Sequence, residues 1–334
     1  MKRILAFICI FLLIIIASIG GLLAVRKLTS MYKNIWDTLD NITEMVDSVH
    51  DADMPRISRD IDLLYTKLGS LSEQVNHLHR QTFYSSASMQ PEYDYSWVSS
   101  SCPYIAHACG GIEGITYTNS REAFIHNYEL GHRIFEIDFN LSEDGILIAS
   151  HDKDKWQKMT GGNHPYTTEY FNQLPLLGSY ESLTCNEVIE LLATYPDAYV
   201  VTDTKDTTKN EVMLAFSQLV HSAMKTHPET LERIIPQIYN KEMLSWISSI
   251  HPFRSVIFTL YQLNWTPEDI LDYCMNSGVR FITIPQYLVT EDVLRLWDTV
   301  NIHIGVHTVN DPESISSLLD MGVDMIYTDF AVPN

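Results

Sequence analysis

The chain has 334 residues, which is enough for one large domain with accessory segments or for two ordinary domains. Its 42 Asp and Glu residues outnumber its 22 Lys and Arg residues, and the resulting net charge of -20 argues against a broad electrostatic grip on nucleic acid or on an anionic membrane surface. The hydrophobic fraction of 46% is ordinary for a globular protein, so a disordered chain is excluded and a sizeable core is available.

The first segment of the chain is strongly apolar. Residues 4–25 contain no charged side chain, and a run of this length can cross a bilayer as a helix. A secretory signal peptide is the alternative, but its apolar region would be shorter and a small-residue cleavage site would follow it. We therefore predict an uncleaved transmembrane anchor over residues 1–28. Basic residues are nearly balanced on its two flanks and do not fix its orientation; we expect the catalytic domain on the extracytoplasmic side.

The next segment is polar with regularly spaced aliphatic side chains. Within residues 57–78 these side chains alternate four and three apart, which is the a/d pattern of a coiled coil. We predict a helical stalk over residues 29–80 that joins chains into a homo-oligomer; a single amphipathic helix lying on the membrane or on the following domain is the alternative. Residues 81–100 are rich in Ser and Tyr and have no period, which predicts a linker.

From residue 101 onward, short β-branched runs alternate with amphipathic segments. The eight candidate strands are 104–107, 133–139, 198–203, 233–237, 255–260, 279–284, 302–307 and 324–328. The amphipathic segments between them include 186–194, 209–225, 267–277, 290–299 and 311–321. Alternation of this kind predicts parallel βα units, and eight units within 101–334 fit a closed (β/α)8 TIM barrel in the α/β class. A doubly wound open sheet is the alternative.

Polar side chains collect at the carboxyl ends of the predicted strands, where a barrel of this type carries its chemistry. They are His107, Glu136, Asp138, Asp203, Lys205, Gln237, His307 and Asp329. A single residue of this kind, such as Asp329 taken alone, is more often a solvated turn residue. Their recurrence on six strands predicts one site at the mouth of the barrel.

The acidic residues of this group predict a metal site. Glu136 and Asp138 are two residues apart on a strand, so their side chains point to the same face. Together with Asp203 they offer three oxygen ligands of the hard kind that suits Ca²⁺ or Mg²⁺. A salt-bridged group at the barrel rim is the alternative.

Two histidines are candidates for acid-base chemistry. His107 ends the first strand, and His151 follows an Asp-Gly turn and a short extended run that return it toward the mouth. An unperturbed imidazole has a pKa of about 6.5, so near neutral pH one histidine can act as a general base and the other as a general acid.

Two stretches of the sequence resemble a known family. The first is IAHACGGIEGITYTNSREAF and the second is GHRIFEIDFNLSEDGILIASHD. They resemble the opening of the glycerophosphodiester phosphodiesterase family, which belongs to the barrel phosphodiesterases related to phosphatidylinositol-specific phospholipase C. The resemblance covers about residues 102–334 and implies catalytic roles for His107 and His151, together with a divalent cation, Ca²⁺ or Mg²⁺, on Glu136, Asp138 and Asp203. We assign phosphate or substrate contacts to Lys205, Asn119, Gln237 and His307.

The sequence also departs from the family pattern. Residues 107–110 read His-Ala-Cys-Gly where the family has His-Arg-Gly, so the arginine that would bind phosphate is missing and Lys205 remains as the cation. The third-strand motif Glu-x-Lys becomes Asp203-Thr204-Lys205, which resembles the sphingomyelinase D branch of the same superfamily. His307 stands where the family usually has Trp.

The resemblance implies a metal-dependent enzyme that hydrolyses glycerophosphodiesters to an alcohol and glycerol phosphate, with His107 as base and His151 as acid, and the predicted anchor would hold it at a membrane. A phospholipase C or sphingomyelinase D-like enzyme acting on intact phospholipids is one alternative. An inactive barrel that serves as an anchored binding module is another. The long segment 152–183 carries Trp156, Tyr166, Tyr170 and Phe171, which either contact the alcohol portion of the substrate or pack a small subdomain against the barrel.

Overall fold

The computed structural model describes residues 92–99, 101–260 and 266–333. The predicted anchor (1–28), the predicted stalk (29–80) with its oligomer-forming segment 57–78, and the first part of the predicted linker lie outside these ranges. Among the described helices, none combines the length and the apolar character that a membrane crossing needs.

The described residues contain ten strands. They are β1 (Tyr104–Ala106), β2 (Ile134–Leu141), β3 (Leu147–Ala149), β4 (Leu183–Thr184), β5 (Tyr199–Asp203), β6 (Ile234–Ile238), β7 (Ile257–Thr259), β8 (Phe281–Pro285), β9 (His303–His307) and β10 (Met325–Thr328).

The same residues contain nine α-helices. They are α1 (Arg121–Glu129), α2 (Lys153–Thr160), α3 (Thr168–Gln173), α4 (Cys185–Thr194), α5 (Lys209–Thr226), α6 (Lys241–Ile250), α7 (Pro267–Ser277), α8 (Glu291–Asp298) and α9 (Pro312–Asp320). Local sequence explains several of the helix starts, because Ser120, Asp152, Thr184, Asn240 and Thr266 each accept a backbone N–H of the first helical turn.

Eight of the strands form a closed parallel barrel. Their order is β1, β10, β9, β8, β7, β6, β5 and β2, and β1 also pairs in parallel with β2, which closes the ring. All eight predicted strands are present, so the TIM barrel is confirmed and the open sheet is wrong. The short strands β3 and β4 extend β2 as an antiparallel ribbon outside the ring.

The barrel lumen is packed by side chains at its amino-terminal end and in its middle. One buried cluster joins residues from seven of the barrel strands, namely Ile105, Ile134, Val201, Ile235, Ile257, Phe281, Met325 and Tyr327. Strand residues alternate between the two faces of the sheet, so on β2 the side chains of Glu136 and Asp138 follow Ile134 into the lumen. Phe135, which lies between Ile134 and Glu136 on the strand, points away from the lumen, and its ring centroid is 4.1 Å from that of Phe124 on α1.

Residues 92–99 close the amino-terminal end of the barrel. Trp97 belongs to the lumen cluster and lies 5.0 Å from the Phe281 ring, and its indole N–H donates to Ser255 Oγ at 3.0 Å. The Tyr95 hydroxyl donates to the carbonyl of Val256 at 2.9 Å. The sequence assigns these residues to the linker 81–100, because a single buried aromatic has no periodicity to reveal it.

Candidate active site

His107 lies at the end of β1 and is oriented by a carboxylate. Its Nδ1 atom is 2.8 Å from Oδ1 of Asp329, which follows β10, the strand that pairs with β1. Asn310 fixes this carboxylate, because its Nδ2 donates to Asp329 Oδ2 at 2.6 Å and its Oδ1 accepts the Asp329 N–H at 2.7 Å. Burial by itself lowers the pKa of His107, but the hydrogen bond to Asp329 and the charge of Glu136 outweigh it, and the pKa is raised.

The turn after His107 presents a backbone donor to the acidic residues. Ala108 and Cys109 have φ values of 49° and 70°, in the left-handed region that costs a residue with a Cβ about 1 kcal/mol or more. In this conformation the Ala108 N–H donates to Glu136 Oε2 at 2.7 Å. Asn127 supports the turn by donating to the carbonyls of Cys109 and Gly111, both at 3.1 Å.

Three carboxylates converge in the lumen mouth. Glu136, Asp138 and Asp203 are all buried, and one oxygen from each lies within 4.8 Å of the other two. Each is held by a neighbour: Glu136 by the Ala108 N–H, Asp138 by Asn119, and Asp203 by the Tyr239 hydroxyl, which donates to it.

Asn119 is fully buried behind Asp138. Its Nδ2 donates to Asp138 Oδ2 at 2.9 Å, and its Oδ1 accepts the Asp138 N–H at 3.0 Å. Both ends of the amide are therefore directed at the carboxylate. The sequence predicts a substrate contact for Asn119, and the structure shows its amide hydrogen-bonded to Asp138.

Burial and the charges of neighbouring groups shift the pKa values of the three carboxylates. Burial and the negative charge of Asp138 raise the pKa of Glu136 to about 8. Burial also raises the pKa of Asp203, whereas for Asp138 the effect of burial is outweighed by Lys205 and the pKa is lowered. A cation at this point would relieve the repulsion among the three groups.

Lys205 lies directly above this cluster. Its ammonium group forms an ion pair with Asp138 and a second with Asp203 Oδ2 at 3.5 Å. These carboxylates raise the pKa of Lys205 against the opposing effect of burial, so the side chain is charged. The cation that the sequence assigns to phosphate is thus already paired with two carboxylates.

His151 reaches the mouth by the route that the sequence predicts. The turn at Gly145 reverses the chain, and β3 runs antiparallel to β2 and delivers His151 back beside the barrel. Its Nδ1 is 2.5 Å from Oδ2 of Asp152, the N-terminal cap of α2. Each histidine therefore has one ring nitrogen on a carboxylate and the other available to a substrate.

The ring of Tyr117 lies between the two histidines. Its centroid is 4.7 Å from the His107 ring and 5.1 Å from the His151 ring, both in edge-to-face geometry. The ammonium group of Lys155, in the first turn of α2, lies over the Tyr117 ring at 3.1 Å from the centroid. The two imidazoles thus flank a single aromatic ring above the acidic cluster.

Gln237 and His307 are the remaining residues that the sequence assigns to the site. Gln237 is buried, and its Oε1 accepts the Tyr327 hydroxyl at 2.9 Å. His307 is at the end of β9, and burial together with the charge of His107 lowers its pKa to about 4. His307 is therefore neutral near pH 7.

The aromatic residues of segment 152–183 form a packed cluster. Trp156, Tyr166 and Phe171 are all buried, and the rings of Tyr166 and Phe171 lie 5.5 and 5.9 Å from the Trp156 ring. Tyr170 is partly buried and stacks on His164 at 5.9 Å. Of the two interpretations left open by the sequence, packing of a small subdomain is correct for the three buried rings.

Sequence reasoning missed several residues that complete the site: Asp329 as the partner of His107, together with Asp152, Tyr117, Lys155 and Tyr239. Asp152 had a usable signal, since it follows His151 directly. The partnership of Asp329 with His107 joins residues 222 positions apart, and only the closure of the barrel brings them together.

The acidic cluster fits a hard divalent cation. Glu136 Oε1 is buried and accepts no hydrogen bond from any described residue, so one ligand oxygen is available without breaking an existing contact. Three carboxylates at the end of a lumen supply the all-oxygen donor set that Ca²⁺ and Mg²⁺ prefer.

Comparison with known proteins agrees with this geometry. The model of the glycerophosphoryl diester phosphodiesterase family matches residues 111–332, which is well over half of the chain. No curated protein matches the chain closely enough to be counted as a relative.

Solved structures share the fold. A phosphodiesterase from Oleispira antarctica, solved in complex with the product sn-glycerol-3-phosphate, is 19% identical, with a TM-score of 0.59 over 70% of this chain and 94% of that one. A glycerophosphodiester phosphodiesterase from Thermotoga maritima is 19% identical, with a TM-score of 0.52 over 68% of this chain and 94% of that one. A glycerophosphoryl diester phosphodiesterase from Parabacteroides distasonis is 20% identical, with a TM-score of 0.54 over 72% and 86%.

Proposed function

The chain belongs to the glycerophosphoryl diester phosphodiesterase family and is a phosphoric diester hydrolase, and on this premise we propose that it cleaves glycerophosphodiesters to an alcohol and glycerol phosphate with the help of a divalent cation. The observation that carries the proposal is the arrangement of His107 and His151 on either side of the Tyr117 ring, above three buried carboxylates. The product found in the Oleispira antarctica structure, sn-glycerol-3-phosphate, is consistent with a small diester as substrate.

Glu136, Asp138 and Asp203 would hold the cation, which we take to be Ca²⁺ or Mg²⁺. When bound, such an ion polarises the phosphate and offsets its negative charge. The neighbours of the three carboxylates then act as positioning groups. Asn119 fixes Asp138, and the Tyr239 hydroxyl fixes Asp203, so the ligand oxygens are oriented before the ion arrives.

His107 is the general base in this proposal. Its Nδ1 faces Asp329, so the imidazole can take a proton on Nε2 and the resulting positive charge is stabilised by that carboxylate. The proton comes from the attacking hydroxyl group, either of water or of the glycerol portion of the substrate. In the second case the product of the first step is a cyclic phosphate, which water then opens.

His151 is the general acid. As an imidazolium it donates a proton from Nε2 to the oxygen of the departing alcohol while that oxygen leaves phosphorus, and Asp152 on Nδ1 fixes the orientation of the ring. If water attacks directly, His107 ends with one proton more and His151 with one fewer, and a proton transfer through water restores both. If a cyclic phosphate forms, its opening by water uses the two histidines in reversed roles and restores both.

The site is placed at a membrane in this proposal. The uncharged run 4–25 supports an amino-terminal anchor, and the aliphatic pattern of 57–78 supports a stalk that joins chains, with the barrel on the extracytoplasmic side. Extraction of cell membranes with carbonate tests the anchor: the full chain should stay in the membrane fraction, and a chain lacking residues 1–28 should be released. Protease accessibility in sealed vesicles tests the side.

The substrate class is tested by a panel assay. The purified full chain in detergent is incubated with glycerophosphocholine, glycerophosphoinositol, phosphatidylinositol and sphingomyelin; the phosphate products, including any cyclic phosphate, are followed by phosphorus NMR, and the released alcohol by proton NMR. Hydrolysis of the two glycerophosphodiesters, lost in His107→Gln and His151→Gln, supports the proposal. Turnover of sphingomyelin or phosphatidylinositol alone would instead favour an enzyme of intact lipids, and no turnover of any diester would favour a binding module.

A further inference from the structure

A positive charge is needed at the site to bind the substrate. Lys205 is not fully available for this purpose, because its ammonium group is already paired. A phosphodiester carries a negative charge on its nonbridging oxygens, and it must approach a mouth that contains Glu136, Asp138 and Asp203. The ammonium group of Lys205 is shared between two of these carboxylates. An ammonium group that is not paired with these carboxylates would therefore help to hold the diester, in addition to the divalent cation.

Lys155 brings a second ammonium group to the mouth. It lies in the first turn of α2, four residues after His151, and its Nζ is 3.1 Å from the centroid of the Tyr117 ring that both histidines flank. It is near enough to the site for the charges of Asp138, Asp152 and Lys205 to act on it, although burial is the main cause that lowers its pKa.

Stability of the helix does not account for this lysine. The amino-terminal end of a helix carries a partial positive charge, so a cation in the first turn is unfavourable there. The contacts of Lys155 within the described residues are the cation–π contact of its ammonium group and the bond of its backbone N–H to Asp152; no carboxylate forms an ion pair with it. A charge kept in an unfavourable place, partly desolvated and unpaired by carboxylate, suits a group that binds an anion.

We propose that the ammonium group of Lys155, held over the Tyr117 ring, binds the nonbridging phosphate oxygens of the substrate. This inference rests on the proposed function. The Tyr117 ring stabilises the cation through its π-face, and because the same ring contacts both imidazoles, it holds the ammonium group beside the two histidines. Tyr117 is in this sense a positioning residue for Lys155.

The test is a comparison of Lys155→Gln with Lys158→Gln in the full chain. Lys158 is exposed on the same helix and serves as the matched control. Loss of a charge-assisted contact to phosphate raises the KM for glycerophosphocholine by about 10-fold or more, and raises the inhibition constant of sn-glycerol-3-phosphate, a product of the proposed reaction, by a similar factor. Lys158→Gln leaves both constants unchanged, and neither substitution alters the thermal unfolding temperature.

A double-mutant cycle separates binding from a merely structural effect. If Tyr117 acts on phosphate through Lys155, then Tyr117→Leu raises the inhibition constant in the presence of Lys155 but adds nothing in the Lys155→Gln background. An unchanged inhibition constant in Lys155→Gln, with the unsubstituted chain active, would overturn the inference and leave the proposed function intact. Inactivity of the unsubstituted chain on every diester would overturn both.

Discussion

At the scale of single residues, the site depends on pairs that hold each reactive group in one orientation. His107 has Asp329, His151 has Asp152, Asp138 has Asn119 and Asp203 has Tyr239. Each pair consists of a charged or titratable group and a neighbour that fixes its geometry. Removal of a neighbour should therefore change a measurable property of its partner without unfolding the barrel.

The Asp329 carboxylate should control the pH dependence of the reaction. The hydrogen bond to Asp329 helps to raise the pKa of His107, and a general base works only when neutral, so the acidic limb of the pH-rate profile follows this raised pKa. In Asp329→Asn the negative charge is lost, the pKa of His107 falls, and we expect the acidic limb to move to lower pH while the maximal rate drops by about 100-fold.

The control for this measurement is Asp324→Asn. Asp324 pairs with His303 at 3.0 Å, where β9 begins, at the opposite end of the barrel. This substitution makes the same change of charge in another His–Asp pair and should leave the profile in place. Movement of the alkaline limb in Asp329→Asn would show that His107 is the acid rather than the base, and no movement of either limb would remove His107 from the titrating pair.

The Tyr239 hydroxyl should tune the affinity for the divalent cation. Tyr239→Phe removes the donor to Asp203 while the ring stays, and loss of a group that orients a ligand typically weakens metal binding by about 10- to 100-fold. Isothermal titration with Ca²⁺ and Mg²⁺ measures this directly. Tyr128→Phe is the matched control, because its hydroxyl donates to Asp197 at 2.5 Å on the surface. Equal affinities in the two variants would contradict the assignment of Asp203 as a ligand.

At the scale of elements, the ribbon β3–β4 and helices α2 and α3 form an insertion beside the mouth. The part before α2 carries His151, and the part that follows is held by the packing of Trp156, Tyr166 and Phe171. The insertion therefore combines two features: it carries His151 near its beginning, and its buried aromatic cluster packs the remainder of the segment.

Phe171 should matter for stability and not for selectivity. Its side chain is 2% exposed, and truncation of a buried Phe to Ala costs about 3–5 kcal/mol of the free energy of unfolding. We expect Phe171→Ala to lower stability by this amount in chemical denaturation and to leave the ratio of kcat/KM values among phosphodiesters unchanged. Tyr170→Ala, at the partly buried neighbour, should cost less. A change of substrate preference in Phe171→Ala at unchanged stability would restore the interpretation of this ring as a substrate contact.

At the scale of the whole molecule, the barrel is open to solvent at the mouth and closed by Trp97 at its amino-terminal end. Trp97 is 7% exposed and fills the lumen between β7 and β8, on the far side from the acidic cluster. The segment that leads into the barrel is thus part of its core. A chain that begins at residue 101 would lose this contact.

Trp97→Ala should destabilise the barrel without changing the site. Loss of a buried Trp costs about 3–5 kcal/mol, and the cavity lies at the end opposite to the metal ligands. Thermal and denaturant unfolding of the full chain measure the loss, and cation affinity at a temperature where the variant is folded should equal that of the unsubstituted chain. Tyr287→Ala is the control, because Tyr287 is 79% exposed. Unaltered stability in Trp97→Ala would mean that the amino-terminal end of the lumen is closed by other side chains.

The sequence predicts the strands well because most of the barrel strands are short runs rich in β-branched residues, and six of them carry a polar residue at the carboxyl end. Glu136 and Asp138 could be placed on one face by their spacing alone, and all eight barrel strands follow from the alternation. Two contacts join parts of the chain that are distant in sequence: Trp97 with the lumen, and Asp329 with His107. The local sequence pattern does not predict either contact. The ion pairs of Lys205 with two carboxylates could not be predicted either, because a lysine near an acidic residue in the sequence can equally well be an unpaired cation.

We propose that this barrel hydrolyses phosphodiesters only with a divalent cation on Glu136, Asp138 and Asp203. The most direct test is the rate of glycerophosphocholine hydrolysis by the purified full chain after dialysis against EDTA, and again after addition of Ca²⁺ or Mg²⁺. Since charge stabilisation by a bound ion is worth several kcal/mol, we expect a loss of at least about 100-fold on chelation and recovery with one of the two ions. In Asp138→Asn the added ion should not restore the rate. A rate that is the same in EDTA and in added metal would contradict the proposed dependence on a divalent cation.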